Sequence, residues 1–92
     1  MNQPLEDIRI LDLTQVQSGP SCTQLLAWLG ADVIKIEEPL LGDRSRNKTS
    51  ELTEGDSLEF LLFNANKKSV TLDIKSSMGQ KLLEKLVTIS DV

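Results

Sequence analysis

The chain has 92 residues, 39% hydrophobic and 26% charged, with a formal net charge of −4. This composition is typical of a small folded domain, or of part of a larger one, rather than of a disordered segment. The acidic balance and scattered Lys and Arg argue against non-specific nucleic-acid binding. No apolar run approaches the roughly 18 residues of a membrane-spanning helix. One cysteine and no histidine exclude an internal disulfide and histidine-based metal or triad chemistry in this chain, and suit a reducing, cytoplasmic location.

The first half of the chain reads as strand, turn, helix and strand. Two apolar runs, Ile8–Leu13 and Val33–Ile36, flank a helical segment that begins at Pro20 and stops at Gly30. Such a unit is normally a right-handed crossover in a parallel sheet. The turn after the first strand then opens at the carboxyl edge of the sheet, where ligands bind in open α/β folds.

The helix has sequence signals for its start and for its buried face. Pro20 suits the first helical position, although Ser21 and Gln24 also have capping-box spacing. Apolar residues at i, i+3, i+4 and i+7 predict one buried face. They are Cys22, Leu25, Leu26 and Leu29. We therefore expect Cys22 to be a core residue rather than a nucleophile, and Trp28 to lie at the rim.

A polar loop and a short helix are predicted next. The loop runs from Leu40 to Gly55, a length that in compact domains usually indicates a functional or mobile segment. Asp56 and Glu59 have near-capping-box spacing around the start of the apolar segment Leu58–Phe63. This pattern favours a short helix, with a strand as the alternative.

The remaining chain predicts a third strand and a second long helix. Ser69–Ile74 alternates and is rich in β-formers, and Ser77 with Gln80 has capping-box spacing. The apolar face of this helix comprises Leu82, Leu83, Leu86 and Ile89. Another strand is expected at Ser90–Val92. A three-stranded sheet of this kind has an unpaired edge, so we expect an incomplete domain.

The turn at Gln17 and Ser18 is the best candidate site. Free N–H groups at the start of a helix attract anions, and the Gln17 amide can donate to a carboxylate or thioester oxygen. The alternative is a helix start with no ligand. The glycine pattern of dinucleotide-binding folds and the Walker loop are both absent, which argues against a nicotinamide cofactor or a P-loop nucleotide.

Charged residues near the strand ends have two interpretations. Asp12, near the end of the first strand, is expected to be solvated or to cap a loop. Lys67, Lys68 and Lys75 are expected to be solvated by default, although they are placed where phosphates could meet them.

A series of spaced motifs covers Pro4 to Val92. They are Ile10-Leu11-Asp12-Leu13-Thr14, Gly19-Pro20, the run from Leu29 to Glu37, Gly42-Asp43 with Arg46, Asn64 to Ser69, and Leu72-Asp73. In this order they resemble the N-terminal part of class III CoA-transferases, a family that includes the α-methylacyl-CoA racemases. Val16-Gln17 followed by Gly19-Pro20 is most similar to the branch that acts on formyl-CoA and oxalate.

The resemblance implies a Rossmann-like α/β fold, a parallel sheet with flanking helices, and an interlocked homodimer of full-length chains. Residues 1–92 would be the N-terminal, incomplete part of its CoA-binding domain. Gln17 and Ser18 would lie by the CoA thioester, Val16 would also bind CoA, and Leu72-Asp73-Ile74-Lys75 would hold the adenine end. Position 38, an arginine in the oxalate branch, is Glu38 here, so Lys35 or Arg44 would have to replace it.

The resemblance also implies the chemistry. The family's nucleophilic aspartate lies beyond residue 92, so Gln17 would be an auxiliary catalytic residue. CoA would be part of the acyl-CoA substrate, with a small carboxylate as acceptor and no separate cofactor. Three alternatives stay open: a truncated, inactive fragment, a racemase-like member of the family, and another α/β module such as a flavodoxin-like domain.

Overall fold

A computed structural model describes residues 2–47 and 57–92 of the protein. Its elements in chain order are β1 (Arg9–Asp12), α1 (Ser18–Trp28), β2 (Asp32–Glu37), a 3₁₀ turn (Arg44–Asn47), α2 (Leu58–Phe63), β3 (Lys68–Thr71) and α3 (Ser77–Thr88). None of the helices in this part of the chain is long and apolar enough to cross a lipid bilayer.

The three described strands form one parallel sheet in the order β1-β2-β3. On the open side of β1, the N–H of Leu11 donates to the carbonyl of Val92, and the N–H of Asp91 donates to the carbonyl of Arg9, each over 2.8 Å. Asp91 and Val92 therefore lie beside β1, on the side opposite β2. In open α/β sheets ligands bind outside the carboxyl ends of the strands, and the turn after β1 lies at that edge.

One face of the sheet changes from apolar to charged along the strand direction. Alternate residues of a strand point to the same face, and Ile10 lies opposite Val33 as Asp12 lies opposite Lys35. Ile10 and Val33 form the core with Ala27 and Ala31, and Leu5, Ile8 and Leu26 pack against it. Asp12 and Lys35 are also buried. The same face thus has a hydrophobic core behind it and buried charges at its carboxyl edge.

Helix α1 starts earlier and faces the sheet differently than predicted. It begins at Ser18, not Pro20, and Ser21 donates its hydroxyl to the carbonyl of Ser18 instead of forming a capping box with Gln24. The buried residues are Pro20, Thr23, Gln24 and Ala27. The predicted buried face was therefore wrong: Cys22, Leu25 and Leu29 are exposed, and Leu26 alone packs against the core.

The reason for this rotation is a polar contact. The Thr23 hydroxyl donates to Asp12 Oδ2 over 2.6 Å, which turns the small residues Thr23 and Ala27 toward the sheet and the leucines away from it. Cys22 as a core residue was a wrong prediction for the same reason. Trp28 is 58% exposed, as expected at the rim, and Gly30 adopts the predicted left-handed conformation with a φ of 106°.

The second half follows the predicted order with shifted boundaries. Helix α2 is confirmed, but Ser57 caps it, its Oγ accepting from the N–H of Phe60; Asp56 and positions 48–55 of the predicted loop lie outside the described residues. β3 ends at Thr71, so the predicted strand was three residues too long at its carboxyl end. α3 is capped by Ser76 rather than Ser77.

Helix α3 packs through its first turn rather than along its apolar face. Gly79 is its buried residue, while Leu82 and Ile89 are exposed and Leu83 and Leu86 are partly exposed. A Cβ on Gly79 would lie 1.7 Å from the carbonyl oxygen of Asp73. Glycine at this position lets the turn after β3 pass directly over the helix.

Candidate functional site

The turn between β1 and α1 contains a strained residue next to exposed polar groups. Val16 has a φ of 72°, which is unfavourable for a β-branched side chain. Gln17 follows at the N-cap of α1 without a side-chain capping bond, and both Gln17 and Ser18 are exposed. First-turn N–H groups have no acceptor within their own helix. The turn therefore presents an amide side chain and helix N–H donors at the carboxyl edge of the sheet.

A buried ion pair from β2 and the following loop holds this turn. Lys35 Nζ lies 2.8 Å from Asp43 Oδ2, with side chains 2% and 0% exposed. Lys35 also donates to the carbonyl of Thr14 over 2.9 Å. The N–H of Val16 donates to Asp43 Oδ1 over 3.1 Å, and Ser45 donates to the same carboxylate through its N–H and its hydroxyl. The backbone of the turn is thus fixed at positions 14 and 16.

A second buried ion pair holds the start of helix α1. Lys67 Nζ lies 3.1 Å from Asp12 Oδ2 and donates to the carbonyl of Pro20 over 3.0 Å and to Asn64 Oδ1 over 2.9 Å. Asp12 also accepts from the N–H and hydroxyl of Thr14. The expectation that Asp12 and Lys67 are solvated was therefore wrong, although Asp12 does cap the loop that follows it. Lys68 is exposed, as expected, and lies 3.0 Å from Asp32.

Glu37, at the end of β2, organises the edge of the sheet beside β3. It accepts two hydrogen bonds of 2.7 Å from the guanidinium of Arg46, one from the N–H of Asp43 and one from the hydroxyl of Ser69. The Arg46 guanidinium also lies 3.7 Å from the centre of the Phe60 ring. A groove of about 210 Å³ opens here, lined by residues 37–42 with Arg46, Ser69 and Thr71.

The predicted adenine segment lies at the same edge of the sheet. Leu72 continues β3, its N–H donating to the carbonyl of Glu37 over 2.9 Å. Asp73, Ile74 and Lys75 form the turn into α3, where Asp73 Oδ1 accepts from the N–H of Lys75. This turn follows β3 and the other turn follows β1, and these strands are two positions apart in the sheet, a distance of roughly 10 Å. An extended ligand can therefore contact both turns at once.

The electrostatics of the buried carboxylates suit a structural role. Burial acts to raise the pKa of Asp43, but hydrogen bonds from Lys35 and Ser45 outweigh it and lower the pKa to about 2. Glu37 likewise has a pKa of about 2, because donation from Arg46 and Ser69 outweighs its burial. A carboxylate of such low pKa is a poor proton acceptor at neutral pH. We conclude that both groups hold backbone and side chains in place instead of moving protons.

The pKa of Asp12, in the Asp12–Lys67 pair, is lowered for the same kind of reason. Burial acts against ionisation of Asp12, but hydrogen bonds from Thr14 and Thr23 outweigh it and lower its pKa. Burial lowers the pKa of Lys67, against the attraction of Asp12.

The structure thus brings Val16, Gln17 and Ser18 together at one turn and Leu72–Lys75 at another on the same edge. Of the two residues considered as replacements for an arginine at position 38, Lys35 is buried against Asp43 and cannot reach a ligand, whereas Arg44 is exposed. The buried ion pairs were missed by sequence reasoning. The local signal was Lys35 within the apolar run Val33–Ile36, which indicates a buried charge but does not identify its partner.

The chain is similar in sequence and in structure to known proteins of one family. A family model described as CoA-transferase family III matches residues 5–92. Formyl-CoA:oxalate CoA-transferase from Escherichia coli is 49% identical over all 92 residues, which are 22% of that protein.

Two solved structures share the fold. A hypothetical protein from Mycobacterium tuberculosis superposes with a TM-score of 0.85 at 37% identity, over 98% of this chain and 24% of that one. A CAIB/BAIF family protein from Brucella suis superposes with a TM-score of 0.88 at 34% identity, over 99% of this chain and 25% of that one. The chain therefore spans 22–25% of the length of these relatives.

Proposed function

Because the chain belongs to CoA-transferase family III, we propose that it forms the N-terminal part of the CoA-binding domain of an enzyme that moves CoA between an acyl-CoA thioester and a small carboxylic acid. The relative named formyl-CoA:oxalate CoA-transferase, at 49% identity, favours formyl-CoA as donor and oxalate as acceptor. The net reaction is formyl-CoA plus oxalate giving formate plus oxalyl-CoA.

The observation that carries this proposal is the turn of Val16, Gln17 and Ser18. It lies at the carboxyl edge of the sheet, a buried ion pair hydrogen-bonds to its backbone, and it exposes an amide. A neutral amide can donate to an oxyanion as it forms on the thioester carbonyl, or to the acceptor carboxylate. Removing one such donor typically lowers kcat by about 100- to 1,000-fold.

Leu72, Asp73, Ile74 and Lys75 hold the nucleotide end of CoA in this proposal. Their turn opens on the same edge of the sheet as Gln17, which suits a long ligand that lies across β1, β2 and β3. The nucleophile is an aspartate outside these 92 residues, as in the family that the sequence resembles. CoA enters as a substrate, and the enzyme works in the cytoplasm as an interlocked homodimer.

The test is a CoA-transfer assay on the whole protein that contains this chain. The protein is given formyl-CoA and oxalate, and the CoA thioesters are separated and identified by mass spectrometry. We expect oxalyl-CoA to form and formate to be released in equal amounts. Other small carboxylates, offered one at a time, define the acceptor.

A second experiment distinguishes a racemase from a CoA-transferase. The same protein is given 2-methylacyl-CoA in deuterated water without a carboxylate. Exchange at the carbon next to the thioester, with no CoA transfer to any acceptor, would contradict the proposed reaction and identify a racemase. A protein that neither transfers CoA nor exchanges deuterium would favour the inactive alternative.

A further inference from the structure

The conformation of Val16 requires support from its surroundings. Its φ of 72° lies in the left-handed region, which a β-branched residue adopts only when the structure around it compensates the strain. Val16 immediately precedes Gln17. If the peptide at Val16 relaxed to a negative φ, the direction in which the chain leaves the turn would change, and the Gln17 side chain would move with it.

The support comes from two buried charges that contact the backbone of the turn. Asp43 accepts from the N–H of Val16 over 3.1 Å, and its partner Lys35 donates to the carbonyl of Thr14 over 2.9 Å. The two charges lie 2.8 Å apart. Neither is exposed enough to meet a ligand, so neither is a catalytic residue.

We propose that Lys35 and Asp43 are positioning residues, whose ion pair holds Val16 in its left-handed conformation and so directs Gln17 toward the reacting centre. This inference rests on the function proposed for Gln17. Misplacement of a catalytic group by about 1 Å can cost 100-fold in rate, so the pair affects turnover without touching substrate.

The arrangement favours this role over a purely structural one. A buried ion pair is weak evidence for stability, since apolar residues of similar volume often replace it without loss. Lys35 donates to the carbonyl of Thr14, and Asp43 accepts from the N–H of Val16 as well as from Ser45. The other buried pair, Asp12 and Lys67, contacts Thr23 and the carbonyl of Pro20 in α1. Asp12 also accepts from the N–H of Thr14, whereas the N–H of the strained Val16 donates to Asp43.

The test is a mutant cycle in the whole protein, assayed for CoA transfer. The first variant is the double Lys35→Met/Asp43→Leu, which removes the contacts to the turn without leaving a lone buried charge. The second is Gln17→Ala, and the third combines all three changes. Turnover is expressed per folded molecule, from circular dichroism at the assay temperature.

We expect the double variant to lose about 10- to 100-fold in kcat, with the KM for the acyl-CoA within threefold of the parent, because the nucleotide end binds at another turn. We expect the triple variant to stay within threefold of Gln17→Ala. Residues that act through one group have non-additive effects.

Val33→Ala is the matched control. Val33 lies two residues before Lys35 on the same face of β2, is 1% exposed, and belongs to the core cluster. It should lower stability and leave kcat per folded molecule unchanged. If the double variant does not fold, Asp43→Asn, which keeps the shape of the side chain, takes its place in the cycle.

The outcomes of this mutant cycle distinguish the positioning role of Lys35 and Asp43 from the function proposed for Gln17. A double variant with parental kcat beside a Gln17→Ala variant that loses tenfold or more overturns the positioning role and leaves the proposed function intact. A triple variant whose loss is the product of the separate losses also overturns it. An unchanged kcat for Gln17→Ala overturns the proposed reacting centre, and the positioning role falls with it.

Discussion

At the scale of single residues, the site depends on charges that water does not reach. Asp12, Lys35, Asp43 and Lys67 have side chains that are at most 2% exposed, and each donates to or accepts from the backbone or a hydroxyl near the β1–α1 turn. Breaking a buried pair by removing one partner leaves an uncompensated charge and is strongly destabilising. The exposed Gln17 is therefore placed by residues that are themselves inaccessible.

Gln17 and Lys75 should affect different kinetic constants in the whole enzyme. Gln17→Ala is expected to lower kcat by about 100- to 1,000-fold with little change in KM, because in the proposed function its amide acts mainly in the transition state. Lys75→Ala is expected to raise the KM for the acyl-CoA, because a nucleotide contact is alike in ground and transition states. Steady-state kinetics, corrected for folded fraction, measure both.

The matched control for Gln17 is Gln80→Ala, which removes an exposed amide from α3 and should change neither constant. A Gln17→Ala enzyme that loses stability but keeps the kcat of its folded fraction would show that Gln17 only shapes the turn.

Gly79→Ala should destabilise the chain, against the trend of helix propensity. Alanine is the better helix former by up to about 1 kcal/mol, but its Cβ would lie 1.7 Å from the carbonyl of Asp73. We expect a net loss of about 1 to 3 kcal/mol, the usual cost of overpacking, measured by urea unfolding. Met78→Ala at the exposed neighbouring position should stay within about 0.5 kcal/mol. Equal stability of the parent and Gly79→Ala would mean that the turn over α3 can shift to accommodate the added methyl group.

At the scale of elements, the orientation of α1 shows how a polar contact overrides a hydrophobic pattern. Leu25 and Leu29 are 55% and 41% exposed, while Ala27 is 5% exposed. Small residues let the helix approach the sheet closely enough for the Thr23 hydroxyl to reach Asp12. The position of the helix start, and hence of Ser18, depends on this close approach.

Opposite changes on α1 distinguish the observed face from the predicted one. In the 92-residue chain by itself, Ala27→Leu should cost about 1 to 3 kcal/mol because it overfills the contact with β1 and β2. Leu25→Ala should change the free energy of unfolding by no more than about 0.5 kcal/mol, as for a surface substitution. Thermal or urea unfolding of both variants measures this. The reverse ranking would support the leucine stripe as the buried face.

At the scale of the whole molecule, stability should fall in acid. Asp43 and Glu37 have folded pKa values of about 2, below their ordinary values of 3.8 and 4.5. A lowered folded pKa gives stability that is present above the ordinary pKa and is lost as the pH falls through the folded one. By this linkage Asp43 should contribute roughly 2 to 3 kcal/mol and Glu37 roughly 3 to 4 kcal/mol, lost between about pH 4.5 and 2.

Urea unfolding at several pH values measures this contribution. The Asp43→Asn variant has one fewer titrating group, so its stability should depend less steeply on pH in that range. A parental free energy of unfolding that is the same at pH 5 and at pH 2 would contradict the assignment.

The 92-residue chain by itself should be marginally stable or should associate. Among the described residues β3 pairs only with β2, and all four of its residues are exposed; an open strand edge is a template for pairing with another copy. Large apolar side chains are exposed as well, including Leu40 at 89% and Trp28 at 58%. Sedimentation velocity over a concentration series tests this. A monomer with a cooperative transition above roughly 5 kcal/mol would contradict it.

Local rules were sufficient for the order and type of the three strands and three α-helices, but the strand expected at Ser90–Val92 was wrong, because these residues hydrogen-bond to β1 without forming a regular strand. Apolar runs, cap-forming residues and Gly30 predicted a parallel sheet with flanking helices, because periodicity and backbone preferences are properties of neighbouring residues. The boundaries moved by one to three residues, as between Ser76 and Ser77 at the start of α3. The family also followed from the sequence, since the resemblance is carried by short local motifs in a fixed order.

Only the tertiary structure decided which charges are buried and which face of α1 is covered. Asp12 and Lys67 are 55 positions apart, and Lys35 meets Asp43 across a loop, so neither partnership is visible in a local pattern. Periodicity alone placed leucines inward, whereas the Asp12–Thr23 contact turned them outward. The sequence by itself determined that Gln17 follows the first strand. The buried charges decided how its turn is held, because desolvated charges are stable only when other parts of the chain supply their partners.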